Sequence, residues 1–281
     1  MPDFINLLLF AALVFALVFG AGIVPFANPI ATQPKTLYRM TCIAAGFLIS
    51  AAMLIAIPEG FVLYLEHAEE DGDHGAAHAS AIVAGLAVLL GFVFMMVLEG
   101  FGFGHDVHEE HHDHMEEHNH DHVNHPAEHS SSLVIGLTLH AITDGMVLAA
   151  AFSLGELALS LQLAVVVLMH KFPAAFSLAA YSLHERNSRK RSLLDLLFFA
   201  CATPVAMIFS WFLFDPSEAH WQGLAVLFAA GSFIYVSTVD VLPTIHIREN
   251  SKRSLGLVLL GIALMLAISF VLATIFPEAA H

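Results

Sequence analysis

Eight apolar stretches constrain this chain more than any other feature in it: about 4–27, 38–64, 79–103, 132–153, 157–183, 193–214, 221–243 and 254–276. A helix rises about 1.5 Å per residue, so each stretch is long enough to cross a hydrocarbon core of about 30 Å. Within lipid every backbone N–H and C=O must find a partner inside the protein, and runs of this length satisfy that demand as helices. The chain has 281 residues, 58% hydrophobic and 12% charged, with mean hydropathy +0.75. That composition excludes an ordinary soluble globular domain. The expectation is an all-α polytopic membrane protein, one transmembrane domain over 1–281 with eight transmembrane helices. The fourth and fifth are joined by a short turn around Gly155-Glu156 and form an antiparallel hairpin.

Basic residues orient the spans, because cytoplasmic loops collect Lys and Arg. Of the ten in the chain, Lys35 and Arg39 lie between spans one and two, and Arg186, Arg189, Lys190 and Arg191 between five and six. Arg248, Lys252 and Arg253 lie between seven and eight. All nine fall on one side, which predicts that both termini and the acidic segment Glu66–Asp73 are extracytoplasmic. Met1-Pro2-Asp3 lacks the basic start of a secretory signal, so the first run reads as a retained span. Cys42 and Cys201 both sit in apolar runs and suggest packing residues rather than a disulfide framework.

The segment between spans three and four should be cytoplasmic. It holds ten of the nineteen histidines, His105, His108, His111, His112, His114, His118, His120, His122, His125 and His129, interleaved with Asp and Glu. Low hydrophobicity predicts a disordered loop over 105–131. Two readings stand: a solvated acidic linker, or a tract that binds zinc weakly at several places as a sensor or local buffer. The formal charge of -15 comes largely from this segment and Glu66–Asp73, and so says little about the membrane domain.

The informative residues are ionisable groups inside spans, where each costs several kcal/mol unless partnered. His140 and Asp144, in Leu139-His140-Ala141-Ile142-Thr143-Asp144-Gly145, are four apart and project from one helix face. His170 lies mid-span in the neighbouring segment, in Met169-His170-Lys171-Phe172-Pro173. Two imidazoles and a carboxylate suit one divalent transition metal; the bland alternative is a His–Asp hydrogen bond that fixes helix packing. Pro173 frees the Met169 carbonyl beside His170, and Gly145 admits a close neighbour. Lys171 needs a compensating carboxylate, for which Asp144 is the candidate, and its charge argues against a second metal nearby. Glu99 is expected to reach the interface. Glu59 and Asp240 stand open between interface and permeation pathway, since each adjoins a proline that can expose carbonyls.

On these residues the chain resembles the ZIP (Zrt/Irt-like) family of zinc and iron permeases. The family's His-x-x-x-Asp/Glu-Gly is matched by His140, Asp144 and Gly145, and its His-x-x-Pro by His170 and Pro173. Eight spans, extracytoplasmic termini and a histidine-rich third loop also match. His170-Lys171-Phe172-Pro173-Ala174-Ala175-Phe176 and Pro58-Glu59-Gly60 are similar to the ZIP9-like branch. The resemblance implies a ZIP-like bundle that carries zinc into the cytosol, with spans four and five supplying the transport site. Many members carry an acid where Lys171 stands and an acid or histidine where Ala174 stands, and members with two bound metals commonly have Glu where Thr203 precedes Pro204. The second metal position therefore looks dismantled, and only the primary site transfers: His140, Asp144 and His170, with Glu59, Asp240 and Lys171 as pathway or accessory residues.

The expected activity is transport, with Zn²⁺ as substrate, no prosthetic group, no enzymatic step and no nucleic-acid partner. Fe²⁺, Mn²⁺ and Cd²⁺ stand beside zinc as admissible cargo, and a homodimer beside a monomer. The membrane is a bacterial inner membrane or, in a eukaryote, plasma membrane or Golgi. A zinc exporter shares the ligand chemistry. A bis-histidine haem subunit would use His140 and His170 but leave Asp144 and Lys171 idle. A zinc metalloprotease would require His-Glu-x-x-His, which does not occur.

Overall fold

The computed structural model describes residues 2–27, 34–65, 74–103, 126–153, 157–186, 188–213, 219–241 and 251–275. Its helices are α1 (Pro2–Ala27), α2 (Pro34–Ala51), α3 (Ile57–Leu65), α4 (His74–Leu98), α5 (Pro126–Ser153), α6 (Leu157–Arg186), α7 (Arg189–Trp211), α8 (Ala219–Tyr235) and α9 (Ser251–Ile275). A π-helical turn, Ala52–Ala56, joins α2 to α3 into one span. Eight spans result among the described residues, Phe4–Ala27, Tyr38–Leu65, Ser80–Phe101, Val134–Ser153, Ser160–Leu183, Arg189–Trp211, His220–Val239 and Lys252–Ile275. They follow the apolar runs closely, and no strand occurs among the described residues. The chain is an all-α polytopic membrane protein.

Two boundaries differ from expectation. Helix α5 starts at Pro126, so the last six residues of the predicted loop, including His129, lie on helix backbone. Proline fits there because the first helical N–H groups have no intrahelical acceptor. The rest of the histidine tract, His105 to His125, lies outside the described residues, as does the acidic segment Glu66–Asp73. The second difference is a set of π turns at Ala52–Ala56, Glu99–Phe103 and Val236–Val241. Pro58 has no N–H for the carbonyl four residues back, and the wider turn before it accommodates the ring: Ile57 N–H bonds Ala52 O instead. Gly100 and Gly102 punctuate the second turn, and Pro243 follows the third in sequence.

The helices pack in two groups. Helices α1, α5, α6 and α7 all contact one another and share an apolar cluster that includes Val14, Leu137, Ala141, Ala175, Leu178, Leu196 and Phe199. In the second group α4 and α3 pack on α8, and α9 packs on α2. Its seams are glycine contacts: a Cβ on Gly91 would meet Phe228 O at 1.8 Å, and one on Gly46 would meet Val258 O at 2.2 Å. Between the groups α2 packs on α6 and α5 on α8, over a core that includes Leu48, Val147, Leu148, Val166, Val167, Ala229 and Phe233.

Candidate metal centre

Helices α5 and α6, the fourth and fifth spans, bring the predicted residues together. Fourfold spacing on α5 stacks His140 above Asp144, and His140 Nε2 lies 3.8 Å from Asp144 Oδ2. From α6, His170 Nε2 lies 3.2 Å from the same oxygen. One ligand atom from each of the three falls within 4.8 Å of the others. Tetrahedral zinc, with bonds of about 2.0–2.1 Å, places neighbouring ligand atoms about 3.4 Å apart. The two distances to Asp144 bracket that value, while the widest separation in the trio, up to 4.8 Å, exceeds it. All three are buried, His140 at 3%, Asp144 at 0% and His170 at 6% exposure.

Hydrogen bonds set the chemistry of these donors. His170 Nδ1–H donates to Val166 O at 2.9 Å on its own helix, since a carbonyl can only accept. A neutral His170 therefore turns the Nε2 lone pair toward Asp144, in the pattern that orients a metal-ligating imidazole. Lone pair facing carboxylate at 3.2 Å is favourable only with a cation or a shared proton between them. Asp144 Oδ1 is buried with no hydrogen-bond partner among the described residues, which leaves a second oxygen for an ion. Around the trio, Thr143 Oγ1 donates to His140 O at 2.7 Å, and the His140 and His170 rings lie 5.4 Å apart, centre to centre. Phe233 of α8 stands 5.6 Å from the His170 ring.

Lys171 finds the partner its sequence position demands. Its Nζ is 2.9 Å from Asp144 Oδ2 and 4.8 Å from the centre of the Phe199 ring on α7, at 1% exposure. Gly145, next to Asp144, meets a helix rather than an open cavity. A Cβ there would lie 2.5 Å from Thr203 O on α7, while Thr203 Oγ1 donates to Ala141 O at 2.8 Å across the same seam. Pro173 stays inside a continuous α6, and its carbonyl accepts from Ser177 Oγ at 2.7 Å.

The remaining predicted residues belong to other helices and turns. Glu59 sits partly buried in the first turn of α3. Asp240 belongs to the π turn Val236–Val241, and its side chain lies outside the described set. Glu99, near the end of the third span, is partly buried and accepts a hydrogen bond from Tyr235 Oη of α8. One charged group escaped the sequence reading. Asp195 of α7 accepts from Ser182 Oγ at 2.6 Å and from Arg186 Nε, tying α7 to α6 at their basic ends. Its only local signal is a single acid in Leu193-Leu194-Asp195-Leu196-Leu197. Beside it Arg189 donates to Phe26 O of α1 at 2.5 Å.

Comparison with known proteins agrees with this geometry. The family described as ZIP Zinc transporter matches residues 104–269. Zinc transporter ZIP9-B of Xenopus laevis is 30% identical over 285 residues, covering 91% of this chain and 90% of the relative. Zinc transporter ZIP9 of Micropogonias undulatus is 28% identical over 295 residues, covering 91% and 90%. Zinc transporter ZIP2 of Homo sapiens is 25% identical over 233 residues, covering 72% and 74%. With a family match across more than half its length and a relative aligned along nearly all of it, this chain belongs to the ZIP family of zinc transporters.

Proposed function

We propose that this protein is a carrier that moves Zn²⁺ into the cytosol through one metal site formed by His140, Asp144 and His170. The observation that carries the reading is the convergence of three buried ligand atoms within 4.8 Å, drawn from two adjacent spans. Relatives named as zinc transporters supply the substrate, and the donor set of two imidazoles and a carboxylate suits it. The same donors accept Fe²⁺, Mn²⁺ and Cd²⁺ with different affinities. Three side chains leave the shell to be completed by water or Asp144 Oδ1, a loose closure that allows release. Binding requires neutral imidazoles and an ionised carboxylate, so zinc affinity falls as these groups take up protons.

Lys171 limits the site to one ion, because a fixed ammonium beside Asp144 repels a second divalent cation. Inward transport rests on the family assignment together with the nine basic residues on one face, which put both termini outside. Glu59 and Asp240 are pathway residues in this reading, and the histidine tract is a weak cytoplasmic zinc buffer. A haem between His140 and His170 has no use for Asp144 or Lys171, and an exporter would reverse only the direction. The test is ⁶⁵Zn²⁺ uptake into proteoliposomes of fixed orientation, wild type beside His140→Ala and His170→Ala. Uptake by wild type that both variants lose is the expected result; undiminished uptake by either variant removes the site.

A further inference from the structure

Three nitrogen-bearing side chains, His140, His170 and Lys171, crowd one carboxylate oxygen, Asp144 Oδ2, at 3.8, 3.2 and 2.9 Å. Two are ligands for an ion; the third is a cation in its own right. We propose that Lys171 is a tethered substitute for the metal: its ammonium holds Asp144 while the site is empty, yields the oxygen to the arriving ion and reclaims it after release. The inference deepens the single-site reading above and rests on it.

Charge favours the exchange. A metal held by His170 Nε2 and Asp144 Oδ2 sits about 2 Å from each. An ammonium still 2.9 Å from that oxygen lies within about 5 Å of a doubly charged ion, in a setting that screens their repulsion poorly. Repulsion drives the ammonium off the oxygen, and the Phe199 ring, over which Nζ already lies at 4.8 Å, keeps holding it on its π face. Lysine's flexible four-carbon stem allows a short swing away from Asp144 while that contact is kept.

Charge arithmetic gives the swing a purpose. The empty site holds one carboxylate and one ammonium and is neutral. Without Lys171 the empty site would carry an uncompensated negative charge in a water-poor interior, the arrangement most costly to move through a membrane protein. Lys171 thus weakens metal binding through repulsion and competition, yet eases return of the unloaded carrier. A residue that merely packed the core would change both properties in the same direction.

The experiment uses the full chain in proteoliposomes and measures ⁶⁵Zn²⁺ in two modes, net uptake into zinc-free vesicles and exchange against unlabelled internal zinc. Lys171→Met, similar in length and uncharged, is expected to bind zinc at least about tenfold more tightly. Its net uptake should fall about tenfold or more beyond any change in exchange, because only net uptake needs the empty site to return. Lys171→Arg, which keeps the charge, should restore most of the net uptake. Equal losses in both modes, or unchanged net uptake in a folded Lys171→Met protein, overturn the proposal. If the methionine variant does not fold, the arginine variant decides: folded Lys171→Arg protein that exchanges zinc but has lost net uptake also overturns it. Wild-type exchange that survives Asp144→Asn rejects the zinc site itself, and the Lys171 role with it.

Discussion

The two helix groups solve the same problem with different emphasis. Lipid tails are as apolar as leucine, so burying leucine between spans gains little and other contacts must hold helices together. The group α1, α5, α6 and α7 uses polar side chains: Asp144 with His170 and Lys171, Thr203 with Ala141 O, Asp195 with Ser182 and Arg186. The group around α8 and α2 uses backbone proximity, with Gly91 against Phe228 and Gly46 against Val258, and adds the Tyr38–Ser254 bond of 2.6 Å between α2 and α9. Helices α5 and α9 mark the extremes: 72% of the α5 span is buried against 17% of the α9 span. The most enclosed helix carries His140 and Asp144, while α9 turns Leu259, Leu264 and Phe270 outward. Chemistry sits where water and lipid are both excluded.

The sharpest way to break this contrast is at Asp144. Asp144→Ala should abolish zinc uptake and also strand Lys171, destabilising the protein by about 3–5 kcal/mol. Asp144→Asn with Lys171→Met should recover most of that stability, read as the midpoint of thermal unfolding in lipid nanodiscs, and none of the uptake. Stability that stays low in the double variant would show that charge pairing is not what holds α5 to α6. In the other group, Gly91→Ala should cost about 1–3 kcal/mol by forcing α4 off α8, whereas Gly20→Ala, with open space around its Cβ, should be close to neutral. Equal effects of the two would dissolve the glycine seam.

Smaller effects sharpen the picture. Thr203→Val removes the bond to Ala141 O and should lower stability by about 0.5–1.5 kcal/mol, the usual range for one hydrogen bond between membrane helices. At the low end, Leu264→Ala on the exposed face of α9 should change the unfolding midpoint by no more than about 0.5 kcal/mol equivalent. A large loss there would mean that this face is packed against protein rather than lipid.

The spans were legible because length and apolarity are local properties of a run. The trio was legible for a similar reason: fourfold spacing defines a helix face, and only three residues of chain separate α5 from α6. Lys171 pointed to Asp144 because few other groups at that depth could neutralise it. The rest depends on pairing between distant segments. Nothing near Gly91 names Phe228 as its neighbour, and the bond from Thr203 to Ala141 spans 62 residues. The bond between Glu99 and Tyr235 spans 136 residues, and nothing beside Glu99 announces it. Proline marked the π turn ahead of Pro58, but its five-residue width is a backbone adjustment that residue pattern does not encode.

The Asp195 clasp has a mechanical corollary. It bolts α7 to α6 at one end, while the Gly145 seam fastens α7 to α5 midway along, so the donors around Asp144 ride on a braced frame. Opposite that frame, the surface shared with α2 and α8 is largely aliphatic and aromatic, and such a surface has little register of its own. Any shift of α5, α6 and α7 against α2 and α8 would therefore carry the three donors together and keep their spacing.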